Sequence, residues 1–114
     1  MRDVVVYLED IMEAISRIEN SLERKSKADF LKNHDLQDLA ARRLEVIGEA
    51  AKNIPLQIRE KYAQIPWKNI AGTRDILIHA YFNIDLEKIW VVIQKDIPLL
   101  KKEVTKMLQE FKEK

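Results

Sequence analysis

The chain has 114 residues, of which 20 are lysine or arginine and 19 are aspartate or glutamate, so its formal net charge is only +1. This length suits one domain with a single core, and the near-neutral balance means that any attraction for nucleic acid must be local. The absence of cysteine excludes disulfides, thiolate catalysis and thiolate metal sites. No apolar run approaches the ~20 residues of a membrane span and no signal-peptide core is present, so we expect a soluble, cytoplasmic protein.

Apolar residues recur at helical spacing in the first part of the chain and predict an amphipathic helix over residues 3–24, with Asp3 as its N-cap. The apolar stripe of this helix consists of Val4, Leu8, Ile11, Ile15, Ile18 and Leu22. After a short connector, residues 28–32 are expected to form a helical turn, and the next helix opens at Asn33 or His34. We interpret His34 as a surface residue near that start.

A central helix is predicted over residues 35–53, and Pro55 ends it. Its broad apolar face consists of Leu36, Leu39, Ala40, Leu44, Val46, Ile47, Ala50 and Ala51. Arg43 falls in the middle of this face, where a guanidinium is costly unless it is paired or reaches outward along its packed stem. Two interpretations stay open: Arg43 supports a functional cleft, or it forms a salt bridge at the rim of the core.

Residues 56–63 predict one further short helix, and a break precedes Pro66, which suits the first turn of another helix. Trp67 follows it. We interpret Trp67 as a packing residue rather than a platform on which RNA bases stack, because no other aromatic residue is near it in the sequence.

The helix that Pro66 opens carries the candidate functional residues. At about 100° per residue, Arg74, Asp75, His79 and Tyr81 share one arc, and the aliphatic residues of the same segment occupy the other side. Asp75 and His79 are an i,i+4 pair, so the carboxylate can orient the imidazole and raise its basicity. Such an arc can bind a phosphodiester, with arginine as the anion clamp and histidine as an acid or base. The alternative is an ordinary surface or interface face.

Small and basic residues extend the same arc toward the amino-terminal end of this helix. The projection places Lys68, Ala71 and Gly72 on the polar side and Asn69, Ile70 and Thr73 on or beside the apolar side. Small residues on the polar side would allow a partner to approach closely.

A long last helix is predicted after Asp85, its expected N-cap, and extends to about residue 111. Its apolar stripe consists of Leu86, Ile89, Trp90, Ile93, Ile97, Leu100, Val104, Met107, Leu108 and Phe111. Pro98 removes a hydrogen bond to the Gln94 carbonyl, so we expect a kinked helix rather than two helices. The predicted fold is an all-α, up-and-down bundle of four to five helices that forms a single domain over residues 1–114.

The pattern Arg-x-x-x-x-His-x-Tyr at residues 74–81, late in a short helical chain, resembles the motif of HEPN domains, and specifically of the HepT-type toxins of HepT/MntA systems. Residues 65–73, Ile-Pro-Trp-Lys-Asn-Ile-Ala-Gly-Thr, precede the motif as in HepT-like proteins. Residues 43–55, which contain Ile-Gly-Glu-Ala, resemble the central helix of that family. The resemblance covers nearly the whole chain.

This resemblance implies an RNase toxin of a type VII-like toxin–antitoxin system, which cuts RNA without a metal or other cofactor and works as a homodimer with two motifs facing each other. By position, Arg74 would be the phosphate clamp, His79 the general acid or base, and Asp75 the residue that orients His79. The functional interpretation of Arg43, which comes from its place in the central helix and not from the resemblance, is that it reaches the dimer cleft and supports phosphate binding or Asp75. Asp75 departs from the asparagine common in this group, and its carboxylate would partly neutralise the cleft.

The resemblance also implies that Tyr81 is the residue that a cognate MntA-like nucleotidyltransferase antitoxin modifies with AMP, and so silences the toxin. A tyrosine that packs its ring and hydrogen-bonds Arg74 is the structural alternative. A second function class stays open: a non-catalytic, nucleotide-binding HEPN subunit that serves a separate nucleotidyltransferase. The sequence leaves the RNA target, the number of AMP units and assembly beyond a dimer open.

Overall fold

A computed structural model describes residues 3–73 and 86–113 of the chain. All regular secondary structure in these two ranges is helical, which confirms the all-α prediction. The elements are α1 (Val4–Leu22), α2 (Lys27–Lys32), α3 (His34–Lys52), α4 (Leu56–Lys61), a helical segment α5 over residues 67–73, α6 (Leu86–Val91), a π-helical segment (Val92–Asp96) and α7 (Ile97–Lys112). No helix within the described ranges is both long and apolar enough to cross a membrane.

Helix α1 forms as its sequence predicts. The Asp3 side chain accepts a hydrogen bond from the Val5 backbone N–H at 3.4 Å and so caps the first turn. The predicted stripe is buried from Leu8 to Leu22, and Ala14 joins it. Because this stripe contacts both α3 and α7, α1 lies between them in the bundle.

Helix α2 begins with a capping box. The Ser26 hydroxyl accepts from the Asp29 backbone N–H at 3.1 Å, and the Asp29 carboxylate accepts from the Ser26 backbone N–H at 2.9 Å. These hydrogen bonds lower the pKa of Asp29 below its ordinary value. The Asn33 side chain then caps α3, so the two helices follow each other directly and His34 is exposed, as predicted.

The core fills the space between α1, α3 and α7, and α2 closes it against α6. The Phe30 and Trp90 rings lie 5.4 Å apart between their centroids. Gln37, a polar residue that the apolar pattern did not select, is buried in α3 and donates to the Phe30 carbonyl at 2.9 Å. Its amide is therefore satisfied inside the bundle.

The long carboxy-terminal helix is interrupted close to the predicted position. The π-helical segment Val92–Asp96 joins α6 to α7, and Pro98 lies in the first turn of α7. The Ile97 N–H donates to the Val92 carbonyl, five residues back. Proline clashes with the carbonyl four residues before it, so a wider turn at this point accommodates Pro98 without ending the helix.

Candidate functional site

Segment α5 leads directly into the predicted motif, and its first turn is fixed by the backbone. The Ile70 N–H donates to the Pro66 carbonyl at 3.0 Å, so Pro66 lies at the helix start as expected. Ile70 and Thr73 are buried, whereas Lys68 is exposed and Gly72 is half-buried. Asn69, which the projection places on or beside the apolar side, is exposed, so the described part of α5 has the predicted apolar and polar sides except at this residue.

Trp67 holds the beginning of α5 in the core. Its side chain is 8% exposed, and its indole N–H donates to the Tyr62 carbonyl at 3.1 Å. This confirms that Trp67 packs rather than offering a free face for base stacking. Ile65, which is 2% exposed, completes the apolar contact of this turn with the core.

Two side-chain hydrogen bonds tie the turn before α5 to α7, and we call them the α7 anchor. The Tyr62 hydroxyl donates to the Glu110 carboxylate. The Gln64 amide donates to Glu103 at 2.8 Å. Because both donors lie within five residues of Trp67, the α7 anchor fixes the direction in which α5 leaves the core.

The α7 anchor contains a phenol and a carboxylate, those of Tyr62 and Glu103, that are almost completely buried. Glu103 is 5% exposed, and its carboxylate also lies 3.7 Å from the Lys106 ammonium. Burial, together with the hydrogen bond to Glu110, raises the pKa of Tyr62 to about 12. Tyr62 therefore stays a neutral phenol over the physiological range.

Four of the five predicted site residues lie outside the described residues. Arg74, Asp75, His79 and Tyr81 fall within residues 74–85, as does the expected N-cap Asp85. Their roles remain predictions from the motif.

Arg43 is the one predicted site residue that is described, and it lies partly buried in α3. Its Nε atom is buried and has no hydrogen-bond partner among the described residues. Within residues 3–73 and 86–113, no carboxylate forms an ion pair with it. The salt bridge considered as one alternative for Arg43 is thus not found in the described part of the chain. Its neighbour Arg42 is exposed and lies 3.5 Å from Glu45, as expected for a solvated helix face.

The helical fold and the motif that follows α5 define a small all-helical domain of the HEPN class. Residues 11–107 match the family described as ribonuclease HepT-like, and the chain belongs to this family.

Three relatives illustrate the match. A probable ribonuclease HepT from Thermococcus cleftensis is 45% identical over 101 residues, which cover 89% of this chain and 92% of that protein. A protein from Caldanaerobacter subterraneus, named as a candidate RNase, is 44% identical over 93% of this chain and 95% of its own length. A Methanocaldococcus jannaschii protein, named as a gamma-glutamylcyclotransferase and candidate RNase, is 50% identical over 96% of this chain, which spans only 50% of that protein. No solved structure matches the chain.

Proposed function

We propose that the chain is the toxin of a two-component toxin–antitoxin system and an endoribonuclease that cuts RNA without a metal ion. The observation that carries this proposal is the Arg74, His79 and Tyr81 pattern, set directly after α5 in a chain of the HepT-like ribonuclease family. The described residues support it by showing that the helix leading into the motif is held firmly on the core by Trp67 and the α7 anchor.

The proposed reaction uses groups that these residues can supply. A base removes the proton of the ribose 2′-hydroxyl, the 2′ oxygen attacks phosphorus, and an acid protonates the departing 5′ oxygen, which leaves a 2′,3′-cyclic phosphate. His79 is the acid or base, and Arg74 stabilises the charge of the pentacoordinate phosphorane. Asp75, one helical turn before His79, holds the imidazole in the productive tautomer.

Two acid–base groups are needed, but the motif contains one histidine. The other histidine of the chain, His34, is exposed at the start of α3 and belongs to a surface depression with Lys25 and Lys32. We therefore assign the second group to His79 of a second copy, so that a homodimer completes the site.

Arg43 is proposed as a second cation for the scissile phosphate. A buried guanidinium nitrogen without a partner is costly, and an anion offers both charge and hydrogen-bond acceptors. Arg43→Lys should keep part of the activity and Arg43→Ala should lose more. Arg42→Ala is the matched control, since Arg42 is exposed and pairs with Glu45.

Tyr81 is proposed as the site that a cognate nucleotidyltransferase modifies. Its phenol oxygen would attack the α-phosphorus of ATP, release pyrophosphate and give up its proton, which adds a negative charge beside Arg74 and repels RNA. Of the other two tyrosines, Tyr62 is 7% exposed and donates to Glu110, which makes it a poor nucleophile. Tyr7 is half-buried and is the competing position.

The nuclease is tested by incubating the native chain with end-labelled total tRNA in EDTA, beside Arg74→Ala, His79→Ala and the control His34→Ala. The native chain and the His34 variant should cut and leave a cyclic phosphate, while the other two should not. Equal cutting by all four would exclude the assigned residues. No cutting by a folded native chain would favour the nucleotide-binding subunit as the function.

The modification is tested by adding the nucleotidyltransferase encoded with the toxin and ATP, and mapping the adduct by mass spectrometry. AMP on Tyr81 with loss of cleavage is expected. The Tyr81→Phe variant should keep cutting, and Tyr7→Phe should be modified like the native chain. Modification of Tyr7 alone would contradict the assignment.

A further inference from the structure

A wide groove lies between the carboxy-terminal end of α3, α4 and α5. Its volume is about 730 Å³, and its lining includes Lys52, Arg59, Lys68, Leu56 and Gly72. Three of its lining residues are cations and one, Glu60, is an anion. We call it the basic groove.

The charge of the basic groove contrasts with that of the other depressions formed by described residues. A depression between α1 and α3 holds Arg42 against three carboxylates, Asp10, Glu45 and Glu49. Those beside α2 and α6 hold equal numbers of lysines and carboxylates. Among the depressions compared, the basic groove is the one whose lining has more cations than carboxylates, in a chain whose net charge is only +1.

Arg59 gives the basic groove an uncommitted phosphate-binding group. Within residues 3–73 and 86–113, its buried Nε atom has no hydrogen-bond partner and no carboxylate forms an ion pair with it. A guanidinium group can bind phosphate oxygens with two parallel hydrogen bonds, and in Arg59 the terminal nitrogens would supply them. Lys52 and Lys68 are exposed on the same lining and add point charges.

The basic groove also adjoins the proposed active site in the sequence. Lys68, Ala71 and Gly72 line it, and the helical projection places these three residues on the same arc as Asp75 and His79. An RNA strand that reaches the predicted motif would therefore have cations beside it on the α4 side. Leu56, which is 61% exposed, offers an apolar contact for a base or ribose.

We propose that the basic groove binds the backbone of single-stranded RNA next to the scissile phosphate, through Lys52, Arg59 and Lys68. The inference rests on RNA being the substrate, as in the proposed function. Beyond that function, the inference gives the path of the RNA strand and the residues that bind the phosphates next to the scissile one.

The test measures binding of a fluorescein-labelled, 12-nucleotide single-stranded RNA by anisotropy, in a His79→Ala background that cannot cut it. The triple variant Lys52→Gln, Arg59→Gln and Lys68→Gln should bind at least about tenfold more weakly at low salt. The slope of log affinity against log salt should fall in magnitude by about 2, since each phosphate contact on a single strand contributes about 0.7.

The matched control removes three exposed lysines elsewhere: Lys25→Gln, Lys32→Gln and Lys102→Gln. Lys25 and Lys32 lie near the opposite end of α3, which is about 28 Å long for its 19 residues. The control should bind RNA with nearly the native slope. Circular dichroism melts of both variants verify that they are folded, and Arg59→Lys should recover part of the affinity lost on removal of this side chain.

Equal weakening by the groove and control variants would overturn the inference, as would a native chain that binds no RNA. A groove variant that changes the oligomeric mass while its salt slope stays native would also overturn it, because the groove would then be a protein interface. If RNA binding depends on the groove but the native chain never cuts RNA, the inference stands and the nuclease proposal fails. In the cutting-competent chain, the groove variant should raise KM with little change in kcat.

Discussion

Replacement of Gly72 by alanine should stabilise this protein. Gly72 lies in the helical segment α5, and its φ angle is not in the positive region where glycine is needed. A Cβ atom added at this position would meet no atom within 4 Å. Nothing in the described part of the protomer therefore requires glycine here, although glycine leaves the unfolded chain more freedom than alanine does.

The expected gain follows from that difference in freedom. A glycine-to-alanine change at a compatible helical position stabilises a protein by about 0.4–1 kcal/mol. The unfolding entropy of about 2.1 cal/mol/K per residue amounts to roughly 0.24 kcal/mol/K for 114 residues, so a gain of about 0.8 kcal/mol raises Tm by about 3 °C. Chemical denaturation should show a higher midpoint with an unchanged slope.

Paired melts and denaturant titrations of the native chain and Gly72→Ala measure this gain. A lower Tm would show that the added methyl group meets an obstacle, and would refute the open environment on which the reasoning depends. Gly72→Leu extends the test, because leucine is also a good helix former and its side chain would enter the basic groove. It should keep the fold and weaken RNA binding, whereas Gly72→Ala should change binding little.

Three further predictions concern the α7 anchor and the core. Folding raises the pKa of Tyr62 from 10.0 to about 12. The stabilisation from the protonated phenol is therefore complete below pH 10 and is lost as the pH rises through 12. Tyr62→Phe should flatten this alkaline fall in the denaturation midpoint. Gln64→Ala leaves the buried Glu103 carboxylate without its amide donor, so the free energy of unfolding measured in urea should fall by about 1–3 kcal/mol. The loss should be smaller in the double variant that also carries Glu103→Gln. Leu100→Ala removes a side chain that is 0% exposed and should cost about 2–5 kcal/mol, while the exposed Leu99→Ala should cost far less.

Local patterns were sufficient to predict the helices that bury one apolar side. In α1, the spacing of Leu8, Ile11 and Ile15 predicts the buried stripe, and Asp3 predicts the cap that the structure shows. The pattern succeeds here because burial and capping depend on residues within one or two turns of each other.

Buried polar residues could not be predicted in the same way. Glu103 lies three residues after Leu100 and four before Met107, so helical spacing places it on the buried side of α7, but no neighbouring residue indicates which donor its carboxylate meets there. Its donor, Gln64, lies 39 residues earlier, and the two meet only because the bundle brings the turn before α5 against α7. Tyr62 and Glu110 are 48 residues apart and meet for the same reason. Such pairs are set by topology rather than by local spacing.

Pro98 shows an intermediate case. The missing N–H and the clash with the Gln94 carbonyl predict a disturbance, and its position is confirmed. The disturbance takes the form of a π-helical segment over Val92–Asp96. The proline alone does not specify this form, because it also depends on how α6 and α7 pack against the core. Arg43 is a second case of this kind. Helical spacing correctly placed it on the apolar side of α3. That helix alone could not predict that Arg43 has no ion-pair partner among the described residues.

The distribution of charge explains how a nearly neutral chain could select RNA. With net charge +1, long-range attraction to nucleic acid is weak, so a strand gains affinity only where several cations reach its phosphates together. The basic groove offers three such cations, whereas the depression between α1 and α3, with three carboxylates, repels the same strand. An RNA strand that binds Lys52, Arg59 and Lys68 therefore lies beside α5, and the motif follows α5 in the sequence. On this reasoning, raising the salt concentration should abolish RNA binding well before it alters the fold, because the core of the bundle is apolar and the groove contacts are ionic.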